Sequence, residues 1–127
     1  MRVLVVDDDP EIRHVARFAL EKAGHEVATA ASGAEGLERA RRDRPDAVLL
    51  DVLLPDESGE AVLRRMRLDD GLTHVPVVFL TGNAEGERAD ALRQSDVRGI
   101  VPKPFDPLEL AGKVEELLGS SGAGSRG

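Results

Sequence analysis

Five side chains in this sequence stand where they can act on a common ligand. Asp7 and Asp8 follow the apolar run Val3-Leu4-Val5-Val6, Asp51 follows Ala47-Val48-Leu49-Leu50, Thr81 closes the run from Pro76 to Leu80, and Lys103 follows Gly99-Ile100-Val101-Pro102. Apolar runs this short read as buried parallel strands, and open α/β sheets bind ligands at the carboxyl ends of their strands. Neighbouring strand ends lie ~5 Å apart, so Asp7, Asp8 and Asp51 come together. Three ionised carboxylates at that spacing repel and desolvate one another unless protons or a cation compensate. A donor set made only of oxygen, with positions left to water, suits Mg²⁺, which typically takes one or two carboxylates and a phosphoryl group. Lys103 adds a movable point charge able to pair with Asp51 or with a phosphoryl oxygen. Thr81 adds a hydroxyl that can donate to the same oxygen, and Gly82 leaves room for approach.

Taken singly, each of these residues has an ordinary reading. An aspartate before a helix is most often an N-cap, and Asp9 before Pro10 reads that way. Asp7 and Asp8 alone would be solvated turn acids, Thr81-Gly82 a turn and Lys103-Pro104 a loop. Convergence decides: an acid pair, a single acid, a hydroxyl and a lysine occupy four strand ends on one edge. His14, His25 and His74 have no metal or catalytic spacing, and Asp56 and Glu57 read as loop charges.

Alternation of short apolar runs with segments of helical period indicates βαβ units. The strands read 2–6, 26–30, 46–50, 76–81 and 99–102. Asp9-Pro10 opens a first helix carrying Ile12, Val15, Ala16, Ala19 and Leu20 on one face, stopped by Gly24. Ser32 with Glu35 forms a capping box for a second. Ser58 caps a third, with Val62, Leu63 and Met66 inward. A fourth, over 84–94, has Leu92 as its only sizeable apolar residue and is expected to be the least stable. Asp106-Pro107 opens the last, which carries Leu110, Val114, Leu117 and Leu118 and is expected to end at Gly119. The Gly- and Ser-rich residues 119–127 read as a disordered tail or linker stub behind a domain over 1–118.

At 127 residues the chain makes one domain, large enough to bury about two thirds of its unfolded surface. Its 41% hydrophobic content supports a core built of Val, Leu, Ile and Ala, since only 2% is aromatic. A net charge of −7 argues against direct binding to nucleic acid or an anionic membrane. The absence of cysteine removes disulfides, thiol catalysis and thiolate metal sites. No stretch approaches the ~18 apolar residues of a membrane span, and the N-terminus lacks the apolar core of a signal peptide. A cytoplasmic location is the default expectation.

In this order and spacing, Val6-Asp7-Asp8-Asp9, Leu50-Asp51-Val52-Leu53-Leu54-Pro55 with Gly59, Leu80-Thr81-Gly82 and Lys103-Pro104-Phe105 resemble the receiver domains of two-component response regulators over residues 2–118. The resemblance implies the flavodoxin-like strand order 2-1-3-4-5 with helices on both faces. It implies that Asp51 is the phosphoacceptor, that Asp8 and Asp51 are side-chain Mg²⁺ ligands, that Leu53 ligates through its carbonyl and that Asp7 holds metal-bound water. Lys103 and Thr81 would then bind phosphoryl oxygens. The implied partners are a sensor histidine kinase or histidine phosphotransfer protein as donor and an effector docking through 82–118, with room for a weak homodimer. Chemistry agrees, because an aspartate nucleophile can take a phosphoryl group when charge on the equatorial oxygens is neutralised.

Three positions depart from the family pattern. Ile100 stands where Tyr or Phe is usual, which implies a switch of reduced amplitude. Asp96 stands where a glycine commonly follows the fourth helix, tolerable because aspartate visits left-handed conformations. Gly82 replaces the more usual alanine. Leu53 and Asn83, two positions after Asp51 and Thr81, flank the path of a hydrolytic water; leucine offers that water no hydrogen bond, so a long phosphoryl lifetime is expected. Among rivals, a phosphatase of the haloacid dehalogenase type needs Asp-x-Asp-x-Thr, whereas Asp51 is followed by Val52-Leu53-Leu54. Dinucleotide binding lacks its Gly-rich turn. A constitutive interaction module with the same fold is the remaining alternative.

Overall fold

The structure, a computed structural model, describes residues 1–82 and 86–126, with side chains described outside 86–89 and 120–126. Five strands, β1 (Arg2–Val6), β2 (Glu26–Ala30), β3 (Ala47–Asp51), β4 (Val77–Thr81) and β5 (Gly99–Pro102), alternate with α1 (Pro10–Lys22), α2 (Gly33–Asp43), α3 (Gly59–Leu68), α4 (Gly86–Arg93) and α5 (Pro107–Arg126). All pairs are parallel in the order β2-β1-β3-β4-β5, the order the family resemblance implies. No helix among the described residues is long and apolar enough to cross a membrane.

The two-residue period of a strand divides each apolar run between two cores. Leu4, Val6, Val48, Leu50, Val77, Phe79 and Ile100 face the layer that supplies Leu37, Ala40, Val62, Leu63, Met66 and Leu92. Val3, Val5, Leu49, Val78, Leu80 and Val101 face Ala16, Ala19, Leu20, Leu110 and Val114. So α2, α3 and α4 cover one face, α1 and α5 the other. Every residue of β3 and β4 is buried, and the ends of those two strands are therefore held rigidly at the centre of the sheet edge.

Helix starts follow their caps. Asp9 accepts from the Glu11 amide at 2.9 Å, Ser32 from Glu35 at 3.1 Å, Ser58 from Ala61 at 3.1 Å and Asp106 from Leu108 at 2.9 Å. Gly24, at φ 98°, takes the left-handed conformation after α1. Two expectations need correction. The last helix passes Gly119 and continues to Arg126; Gly119 lacks the positive φ that ends helices, and an interior glycine costs only about 1 kcal/mol. Asp96 is likewise not left-handed: Arg44 is the non-glycine residue with positive φ among those described. Instead the Asp96 carboxylate and carbonyl accept from Arg67 at 2.6 and 3.2 Å, while the same guanidinium donates to the carbonyls of Leu72 and Val75 at 3.1 and 2.9 Å. One arginine thus ties the end of α3 to the loops that lead into β4 and β5. The fourth helix is observed over Gly86–Arg93 with Leu92 fully buried, and positions 84 and 85 of its expected span lie outside the described residues.

Candidate functional site: an acidic cleft at the carboxyl edge of the sheet

Where β1 ends, Asp7 is fully buried. Its amide donates to Ala30 at 3.0 Å, one carboxylate oxygen accepts from the Asp9 amide at 2.9 Å, and its carbonyl accepts from Arg13 of α1 at 2.9 Å. Asp51 is the last residue of β3, 3% exposed, in register with Leu80. The carboxylates of Asp7, Asp8 and Asp51 each offer an oxygen within 4.8 Å of the others, and Asp8 is the exposed member. All are hard oxygen donors gathered at one point, so the donor set fits Mg²⁺.

After Asp51 the chain folds back on itself. The Leu53 amide donates to Asp51 Oδ1 at 3.1 Å, Leu54 to the Glu57 carbonyl at 3.2 Å and Gly59 to the Val52 carbonyl at 3.0 Å. Gly59 opens α3 because nothing larger fits: a Cβ there would stand 2.6 Å from the Asp51 carbonyl oxygen and 2.9 Å from Val52 Cα. At Gly82 an added Cβ would meet nothing within 4 Å, consistent with an open approach.

Lys103 arrives from β5, its amide bonded to the Thr81 carbonyl at 2.7 Å. Its ammonium lies 3.0 Å from Asp7 Oδ2 and 3.3 Å from Asp51 Oδ1, so it bridges both buried acids and stands nearer Asp7. Burial alone would pull the Lys103 pKa down, but the hydrogen bond and charge of Asp7, and then those of Asp51, outweigh it and hold the pKa above the ordinary lysine value. Burial pushes the Asp51 carboxyl up, opposed by the Leu53 amide and reinforced by the charge of Asp7, with Lys103 opposing; the net direction is upward. A buried acid that resists ionisation beside a second acid is a place where added positive charge is favoured.

The cleft wall includes Asp7, Asp8, Asp51, Leu53, Gly82 and Lys103. Thr81, 3% exposed at the end of β4, does not line it. Leu53 exposes 72% of its surface beside Asp51, while Asn83 lies outside the described residues. Ile100 is buried in the core that holds Phe79 and Leu92. His25 bonds Glu115 at 2.7 Å and the Met1 amine at 3.1 Å, away from the cleft.

Two residues bearing on the site escaped sequence reasoning. Arg13 is singled out by no motif, and only its position one turn into α1 places it near Asp7. In sequence Asp56 reads as a loop charge, but its carboxylate accepts from the amides of Gly33 and Ala34 at 2.9 and 3.0 Å. These bonds hold its pKa below the usual carboxylate value, and no local signal could have found partners so distant in sequence.

A family profile described as the response regulator receiver domain matches residues 3–115. The master transcriptional regulator RpaA of Synechocystis is 36% identical over 92% of this chain and 48% of its own length. The DNA-binding response regulator MtrA of Mycolicibacterium smegmatis is 38% identical over 92% of this chain and 50% of its own. The chain thus spans about half the length of these curated relatives. Among solved structures, chemotaxis response regulator CheY4 of Vibrio cholerae superposes with a TM-score of 0.85 at 31% identity, covering 91% of this chain and 97% of that one. A CheY-like receiver domain protein of Methanospirillum hungatei gives 0.81 at 30% identity, covering 96% of each.

Proposed function

The chain belongs to the response regulator receiver domain family of two-component systems, and on that premise we propose that it is a phosphorylation-controlled switch whose phosphoacceptor is Asp51. The observation that carries this reading is the bridge from Lys103 to two buried carboxylates on different strands, at 3.0 and 3.3 Å, beside a third acid. The donor is a phosphohistidine on a sensor histidine kinase or histidine phosphotransfer protein. An Asp51 carboxylate oxygen attacks phosphorus, the P–N bond breaks with its electron pair returning to imidazole, and an acyl phosphate forms on Asp51. Asp8 and Asp51 through their side chains, and Leu53 through its carbonyl, would hold Mg²⁺, with Asp7 orienting its water. When bound, the metal ion offsets charge on the phosphoryl oxygens. Lys103 moves its ammonium from the Asp51 carboxylate to a phosphoryl oxygen, and the Thr81 hydroxyl donates to another. The domain catalyses its own modification and turns over no outside substrate.

Output passes through residues 82–118 to an effector. A ligand shifts such an equilibrium only through contacts that differ between the two states, and the phosphoryl group supplies them by drawing Thr81 inward. Ile100, already seated in the core, favours a small rearrangement of this face, and it is the observation on which the constitutive-module alternative rests. Hydrogen exchange with and without beryllofluoride and Mg²⁺ separates the two. The switch predicts its largest protection change within 82–105, whereas a uniform change, or none, would support the constitutive module.

A further inference from the structure

Asp56 joins two elements that chain order keeps apart. Its carboxylate oxygens accept separately from the first two amides of α2, Gly33 and Ala34, at 2.9 and 3.0 Å. Glu57 beside it lies against Gly33, where a Cβ would come within 2.7 Å of the Glu57 carboxylate, and Glu57 is ion-paired with Arg65. The loop between β3 and α3 is therefore docked onto the start of α2. That loop is also closed on itself, through Leu54 to Glu57, Gly59 to Val52 and the bridge between Leu53 and Ser58. Closed and docked, it moves as a unit, so what fixes Asp56 also fixes Leu53, whose amide holds Asp51 Oδ1 at 3.1 Å.

We propose that Asp56 is a positioning residue for the metal site: by anchoring the β3–α3 loop to the N-terminus of α2 it sets the orientation of the Leu53 carbonyl and amide, and so the affinity for Mg²⁺. This rests on the function proposed above. An ordinary N-cap would stabilise α2 and nothing more. Here the cap is supplied by the loop that follows the phosphoacceptor, and α2 already has a cap of its own in Ser32, which accepts from Glu35 at 3.1 Å.

Ser32 provides the control. The 127-residue wild type, Asp56→Ala, Asp56→Asn and Ser32→Ala are titrated with MgCl₂ by calorimetry, and amide exchange at Leu53 and Leu54 is followed in chelator. Outer-shell partners of metal ligands change affinity by roughly 10–100-fold. Asp56→Ala should therefore weaken Mg²⁺ binding by about 10-fold or more and speed exchange at both amides. Asp56→Asn, which keeps one accepting oxygen, should fall between. Ser32→Ala should melt earlier with unchanged Mg²⁺ affinity. If Asp56→Ala and Asp56→Asn bind Mg²⁺ as wild type does and differ only in melting, Asp56 is merely a cap and the inference is wrong. If wild type binds no Mg²⁺, the proposed function itself fails and this inference falls with it.

Discussion

Lys103→Met should lose folding stability and phosphoryl acceptance together. In metal-free protein the ammonium is the charge bridging Asp7 and Asp51, which are 0% and 3% exposed. Removing one partner from a buried pair leaves an uncompensated charge, at a cost of about 3 to 5 kcal/mol. Lys103 has its pKa raised, so its stabilisation is complete below 10.5 and is lost only as pH rises through the still higher folded value; at neutral pH the wild type retains all of it. Asp51 has a pH dependence of the same sign in a lower window. With its folded pKa raised above 3.8, its ionisation opposes folding, and the penalty disappears as pH falls through the folded value toward 3.8. The melting deficit of the variant should therefore be largest at neutral pH and shrink on acidification. Phosphoryl acceptance should fall by about 10²- to 10³-fold, the scale of losing one preorganised charge from a transition state. A deficit independent of pH would contradict the charge-bridge account.

Gly59→Ala should destabilise the protein although it stands in a helix, where the change ordinarily gains up to about 1 kcal/mol. The sign reverses because the new Cβ would meet two backbone atoms, the Asp51 carbonyl oxygen at 2.6 Å and Val52 Cα at 2.9 Å, and backbone pinned in β3 cannot rotate aside. Overpacking of this kind costs about 1–3 kcal/mol, and the displaced atoms belong to Asp51, the proposed phosphoacceptor, and to Val52 beside it, so labelling should slow as well. Gly112→Ala in α5 is the control, since its Cβ would meet nothing within 4 Å; it should be neutral or stabilising. Chemical denaturation of the three proteins reads both signs, and a Gly59→Ala protein as stable as wild type would contradict the packing described.

Much of this architecture was legible because its signals are local. Buried parallel strands are short apolar runs, caps sit at fixed offsets from the helices they open, and chemistry at an α/β edge falls on residues that immediately follow strands. Asp7, Asp51, Thr81 and Lys103 are of that kind, and each is found at its expected strand end. What escaped depends on contacts across the fold. Asp56 reaches amides at 33 and 34, Arg67 reaches Asp96, and Arg13 reaches a backbone carbonyl; pattern and propensity carry no information on which distant group meets which. The extension of α5 past Gly119 fails for a different reason. A glycine stops a helix only when it turns left-handed, and residue type permits that turn without requiring it.

The most direct test of Asp51 as phosphoacceptor is the intact mass of wild type and Asp51→Asn after incubation with a small acyl phosphate, with Mg²⁺ or with chelator. Wild type should gain the mass of one phosphoryl group only when Mg²⁺ is present, and Asp51→Asn should gain none under either condition. An Asp51→Asn protein that labels at the wild-type rate, or a wild type that labels equally in chelator, would contradict the account.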